Sequence, residues 1–101
     1  MLLHLPIIVL TSLHLTPVAD TVPKYDVARE CQAESGSRED QQRCATDETQ
    51  ARDQLGTEWM QFTPSERTLC NQEATAGGGG SSYVEFLTCL EMERDVRSPP
   101  K

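Results

Sequence analysis

Four cysteines, Cys31, Cys44, Cys70 and Cys89, constrain this chain more than any other feature. They lie in a stretch with few large apolar side chains. Between Val22 and Val96 these are Tyr25, Val27, Leu55, Trp59, Met60, Phe62, Leu69, Tyr83, Val84, Phe86, Leu87, Leu90 and Met92. A domain of this size buries little apolar surface and is only marginally stable unaided. An even number of cysteines then reads as two disulfides that supply what the core lacks, provided the chain is exported.

Export is read from a break in composition. Residues 1–19 carry no Asp, Glu, Lys or Arg, and every such residue lies from Asp20 onward. Leu5 to Leu15 is a mostly apolar run with the length of a leader's central region, and small residues near Ala19 suit cleavage. The run is shorter than the roughly 20 apolar residues of a membrane span, and it lacks the usual early Lys or Arg. The reading is a signal peptide over 1–19, a flexible mature amino terminus over 20–24, a helical disulfide domain over 25–97 and a disordered tail over 98–101. The expected location is the periplasm or the extracellular space, with no membrane contact after the leader is removed.

Caps and breakers divide the domain into four short helices. Asp26 caps the first, which carries Val27, Ala28 and Cys31 and stops near Gly36. Ser37 opens the second, with Asp40 as the weaker partner of a capping box. Its apolar stripe, Cys44, Ala51, Leu55, Trp59 and Phe62, has helical intervals, and Glu48 fills one step. Thr63-Pro64-Ser65-Glu66 is a full capping box with proline at the first helical position, and it starts the third helix, with Leu69, Cys70 and Ala74. Gly77 to Gly80 ends that helix as a flexible connection. Ser82 opens the fourth with Glu85 as the expected partner of a second full box, and Tyr83, Phe86, Leu87 and Leu90 share one face. The pattern C-x2-E, loop, S-x6-C-x3-E occurs twice, at Cys31 to Glu48 and at Cys70 to Glu93. It reads as a tandem duplication of one α-hairpin.

Height along the helices selects the disulfide pairing. Cys31 and Cys44 stand almost equally far from their turn, with a mismatch of roughly 3 Å at about 1.5 Å rise per residue. Cys70 and Cys89 match still better. A Cys44–Cys70 bridge would join positions about 27 Å and about 10 Å from the turn between them. A disulfide spans at most about 7 Å between Cα atoms, so the expected pairs are Cys31–Cys44 and Cys70–Cys89. The fold class is therefore all-α: two tandem disulfide-stapled helical hairpins forming a small four-helix array.

Several strings resemble a family of small exported, four-cysteine proteins of alphaproteobacteria. They are Tyr25-Asp26-Val27-Ala28-Arg29 with Cys31, Ala51-Arg52-Asp53-Gln54-Leu55 with Trp59 and Phe62, and Arg67 with Cys70. The most specific is Ser82 through Met92, SYVEFLTCLEM. The resemblance covers most of residues 25–96. It implies a bacterial, exported context and the four cysteines, and it brings no reaction, ligand or catalytic residue. The Gly77–Gly80 run is longer than the family leads one to expect.

The chemistry open to the chain is narrow. The only histidines, His4 and His14, fall in the leader. A mature chain without imidazole has no Ser-His or Cys-His nucleophile and no ordinary histidine zinc site. The cysteines lack a C-x2-C knuckle, which disfavours both zinc and a thioredoxin-like centre. Glycines 77–80 are followed by no Lys-Ser or Lys-Thr, so they do not form a phosphate loop. The carboxylate pairs Glu39/Asp40, Asp47/Glu48 and Glu91/Glu93 read as solvated helix faces, and Glu34, Glu48, Glu73 and Glu93, which recur beside cysteines, read as caps or as partners of arginines across the hairpins. Trp59, Met60 and Phe62 read as core before docking patch. The formal net charge is −7, with 9 basic residues scattered among 16 acidic ones, which argues against nucleic acid and anionic membranes as partners.

The expectation is a non-enzymatic protein with no cofactor, no metal and no catalytic residue. It is an interaction or structural module whose protein partner and oligomeric state the sequence leaves open. A secreted inhibitor or effector of another protein is the alternative, and thiol or metal handling is the third.

Overall fold

The computed structural model describes residues 21–34, 36–76 and 81–98. The leader read over 1–19, the Gly77–Gly80 connection and the last three residues of the tail lie outside them. The described residues form helices α1 (Val27–Glu34), α2 (Arg38–Glu58), α3 (Pro64–Thr75) and α4 (Tyr83–Arg97), with a 3-10 turn at Trp59–Gln61 and no strand.

Local chemistry accounts for most of the boundaries. Asp26 accepts a hydrogen bond from the Arg29 amide at 3.0 Å and starts α1. Ser37 accepts from the Asp40 amide at 3.0 Å and starts α2, whose first turn carries Glu39 and Asp40 at the positive end of the helix dipole. At Thr63 the box is complete. Its hydroxyl accepts from the Glu66 amide at 3.2 Å, and the Glu66 carboxylate accepts from the Thr63 amide at 2.8 Å.

Helix α2 ends at Glu58, short of the Phe62 expected from the stripe. Proline at 64 holds Thr63 in extended backbone, with φ −78° and ψ 156°, so the chain must leave the helix before it. The 3-10 turn makes that exit, and the Phe62 amide closes it on the Trp59 carbonyl at 3.3 Å. The turn splits the apolar cluster: Trp59 and Phe62 are buried, whereas Met60 is 84% exposed.

Two hairpins result, α1–α2 and α3–α4. Cys31–Cys44 staples the first and Cys70–Cys89 the second, each with Cα atoms 5.5 Å apart, as the height argument requires. Helix α4 packs against both α2 and α3, while α1 packs against α2. The core lies where α4 meets its two neighbours, around Leu55, Trp59, Phe62, Cys70, Tyr83, Phe86 and Leu90. The Trp59 and Phe86 rings meet edge to face with centroids 5.8 Å apart. Cys70 belongs to this cluster and is fully buried; Cys31 is buried outside it.

The segment expected to be a flexible amino terminus is anchored at its far end. Val22 packs against the core, and the Pro23 carbonyl accepts from the Tyr83 hydroxyl at 2.8 Å.

The two staples should therefore differ in what they hold. Cys31→Ala with Cys44→Ala is expected to release α1 while α2, α3 and α4 stay folded, at the lower end of the roughly 2–5 kcal/mol range for a native disulfide. Cys70→Ala with Cys89→Ala is expected to reach the upper end and to melt the core. Thermal unfolding combined with amide exchange reads the difference; equal losses spread over all four helices would contradict it.

Candidate functional site

The most unusual side chain in the fold is Glu48, a carboxylate only 4% exposed. Its sequence neighbour Asp47 is solvated, as expected for the pair, but Glu48 sits on the buried stripe of α2 with Ala51 and Leu55. There it meets the amino terminus of α4. Its Oε1 accepts from the Tyr83 amide at 2.6 Å. Its Oε2 accepts from the Ser82 hydroxyl at 2.7 Å and, more weakly, from the Val84 amide at 3.4 Å. A negative charge at a helix amino terminus satisfies orphan amides and the helix dipole together.

This contact replaces the second capping box. Ser82 accepts from the Glu85 amide at 3.2 Å, so half of the box is made. The carboxylate half comes from Glu48 of the other hairpin. Glu85 stays exposed and forms no ion pair among the described residues. The duplicated sequence pattern thus diverges in role. Glu48 follows Cys44 by four positions and joins the hairpins, while Glu93 holds the same place after Cys89 and makes no such contact.

A second polar group closes the neighbouring edge of α4. The Tyr83 hydroxyl accepts from the Tyr25 amide at 2.8 Å, and the two rings stack 4.6 Å apart. The Tyr25 hydroxyl donates to the Asn71 side chain of α3. Burial, then the proximity of Tyr83 and Glu48, pushes the Tyr25 hydroxyl well above its ordinary range, so it remains a donor.

The third group sits between α2 and the carboxyl end of α4. The sequence paired Glu91 with Glu93; the fold brings Glu91 to Glu58 instead. Arg94 donates to Glu58 Oε1 at 2.7 Å, and Gln54 bridges Glu58 at 2.7 Å and Glu91 at 3.2 Å. Burial, then the Glu58 charge, raises the Glu91 carboxyl. Burial also acts on Glu58, but hydrogen bonds from Gln54, Arg94 and Glu91 outweigh it and hold Glu58 below the usual range. The pair can hold one proton between its two carboxylates. Both oxygens of Glu58 are already engaged, which leaves it no free edge for a substrate.

Two arginines close the same end of the fold. Arg97 reaches Glu66 at 3.1 Å and donates to the Gln61 carbonyl at 2.9 Å. Arg67 is buried, lies 4.8 Å over the Trp59 ring and donates to the Trp59 carbonyl at 2.7 Å, where α2 ends. Its Nε is buried without a hydrogen-bond partner. Nothing in the sequence marked Arg67 as a buried cation.

Two open grooves of about 380 Å³ each flank α4. One lies between α2 and α4 and is lined by Asp40, Arg43, Asp47, Glu48, Ser82 and Glu85 among others. The other lies between α3 and α4 and is lined by Glu73, Val84, Thr88, Cys89 and Met92 among others. Glu73 stands 3.2 Å from the Cys89 sulfur, in van der Waals contact with the disulfide, and pairs with no arginine. Glu34 lies beside the undescribed Ser35, and its side chain is outside the described set. Among the described residues, no three His, Cys, Asp or Glu side chains stand where they could hold a metal ion. No described helix is long and apolar enough to cross a membrane. Comparison of the chain with protein-family models, curated proteins and solved structures returned no match.

Two outcomes follow. Glu48→Ala should cost about 2–3 kcal/mol, because it removes a cap and strands the Tyr83 amide, and Glu48→Gln should cost distinctly less because one oxygen still accepts. Urea unfolding measures both; a loss under about 0.5 kcal/mol for the alanine variant would mean that the contact holds nothing. The second outcome concerns acid. The Arg97 hydrogen bond, against burial and with help from Thr63, keeps Glu66 below the usual carboxylate range. A carboxylate depressed by folding stabilises fully above its unfolded pKa, and the gain is lost as pH falls through the folded value. Glu66→Gln should therefore be less stable than the parent near neutrality, by about 1 kcal/mol, and the gap should close in acid. Melting temperature against pH for both proteins tests this.

Proposed function

We propose that this chain is a small, exported interaction module that binds a protein partner and carries out no reaction on it. It belongs, on this reading, with the four-cysteine exported proteins of alphaproteobacteria that its SYVEFLTCLEM string resembles. The observation that carries the reading is where the apolar side chains go. The core is short of large residues, yet Val84 is 40%, Met92 63% and Val96 81% exposed on α4, and Leu69 is 43% exposed on α3. These four lie on the hairpin that Cys70–Cys89 staples and Glu48 caps. A small domain that spends scarce apolar residues on a rigid outer face resembles a binding surface more than a reaction site. The two disulfides support an oxidising compartment, and with it a role for residues 1–19 as a leader.

A photoreactive residue placed at Met92 is expected to give a discrete adduct in living source cells, and one at the exposed Gln50 of α2 is expected to give none. The exported protein should have its amino terminus close to Asp20 by intact mass. No adduct from Met92, or a reduced chain that retains Met1, would refute the reading.

A further inference from the structure

The two grooves beside α4 are one surface. Val84 and Glu85 line both of them, so the ridge they form separates an acidic side from an apolar side. On the apolar side, Val84, Thr88 and Met92 recur every fourth residue along α4 and make one stripe. That stripe is about 12 Å long, roughly two helical turns. Val96 continues it. On the acidic side, Asp40, Asp47 and Glu85 are exposed, and Arg43 is the one cation among the described residues lining it, held loosely at 4.0 Å from Asp40. Glu73 adds a further carboxylate on the α3 flank.

We infer that this surface binds a cationic amphipathic helix, with its apolar face on Val84 and Met92 and its Lys or Arg side chains over Asp40, Asp47 and Glu85. The inference rests on the interaction-module reading and names the chemistry of the partner. Charge complementarity selects the occupant. A second copy of this chain would set acidic rims against each other, on molecules that already carry a net charge of −7. The same rim repels nucleic acid and anionic lipid. An extended peptide would need a sheet edge to pair with, and the described residues offer none. A helix laid along the ridge packs its side chains between those of α4 and needs no free backbone groups.

The test uses the oxidised protein purified from its host and three synthetic peptides of about 18 residues. The first is a leucine–lysine sequence with helical periodicity. The second has the same composition in scrambled order, and the third replaces lysine by glutamate. The periodic cationic peptide is expected to bind at least tenfold more tightly than either control, with backbone chemical-shift changes centred on residues 84, 85, 88 and 92. Val84→Ala with Met92→Ala should weaken it about tenfold. Asp47→Asn with Glu85→Gln should weaken it about fivefold and flatten its dependence on salt. Met60→Ala should leave it unchanged. All substituted side chains are exposed, and circular dichroism checks that each variant is folded; the shift map on the parent protein needs no variant at all. Equal binding of the scrambled peptide, binding of the acidic peptide, or shifts that map away from α4 would overturn the inference. Self-association of the free protein through these residues would overturn it too. If the peptide fails while a Met92 adduct still forms in cells, the partner's chemistry is wrong and the interaction-module reading stands.

Discussion

The Glu48 carboxylate is the contact on which the arrangement of the two hairpins depends. Each hairpin has its own covalent staple, and neither staple crosses between them. What fixes α4 on α2 is the apolar packing of Leu55, Trp59 and Phe86, the Arg94–Glu58 ion pair towards the carboxyl end of α4 and, at its amino end, a buried carboxylate that meets two backbone amides and a hydroxyl. Apolar packing is tolerant of small slips. A carboxylate that must meet two amides is not, because a displaced carboxylate would be both buried and unpaired. The interaction therefore sets the height of α4 against α2, and the Cys70–Cys89 bridge passes that height on to α3.

Meeting the cap from across the fold changes what the local sequence is free to do. Thr63 and Glu66 close their box within one helix, and Arg97 then binds the carboxylate from α4. At Ser82 the local carboxylate is not needed, and Glu85 faces water beside Val84. The tyrosines work in the same direction. Tyr25 ties the segment before α1 to Asn71 of α3, and Tyr83 ties it to α4, so this segment links the first hairpin to both helices of the second, which the disulfides do not. In a domain with this little apolar surface, buried hydrogen bonds at helix ends carry much of the specificity that a larger core would supply.

How far the sequence told this in advance depends on the range of each interaction. The caps at Asp26, Ser37 and Thr63 were legible because a cap is settled within four residues. The disulfide pairing was legible because hairpin geometry turns sequence distance into height. The stripe of α2 was legible as a period, but its end was not, since Pro64 acts through Thr63 and the chain must turn before it. Glu48 was visible as a carboxylate on an apolar stripe, which marks it as buried or as an interruption; nothing local named Ser82 and Tyr83 as its partners. Glu91 was paired with Glu93 by adjacency, whereas helix packing gave it Glu58. Arg67 and Met60 exchanged the places their chemistry suggests, because the 3-10 turn leaves a carbonyl at Trp59 that a guanidinium can satisfy and turns Met60 outward.

These contacts also separate the polar groups that hold the fold from those left to meet something else. Glu48, Glu58, Glu66, Tyr25 and Tyr83 are engaged inside the molecule, and changes there act first on stability. Asp40, Asp47, Glu73 and Glu85 lie along the two grooves beside α4, and among the described residues only Asp40 of these four forms an ion pair. Such unneutralised charge costs the fold a little through mutual repulsion. The rigidity that the staple and the Glu48 cap give α4 offsets this cost, and it also means that the exposed Val84–Met92 stripe is presented in one geometry. On the interaction-module reading proposed above, a partner docking there would lose little of its binding energy to ordering this surface, because the disulfide and the Glu48 cap have already ordered it.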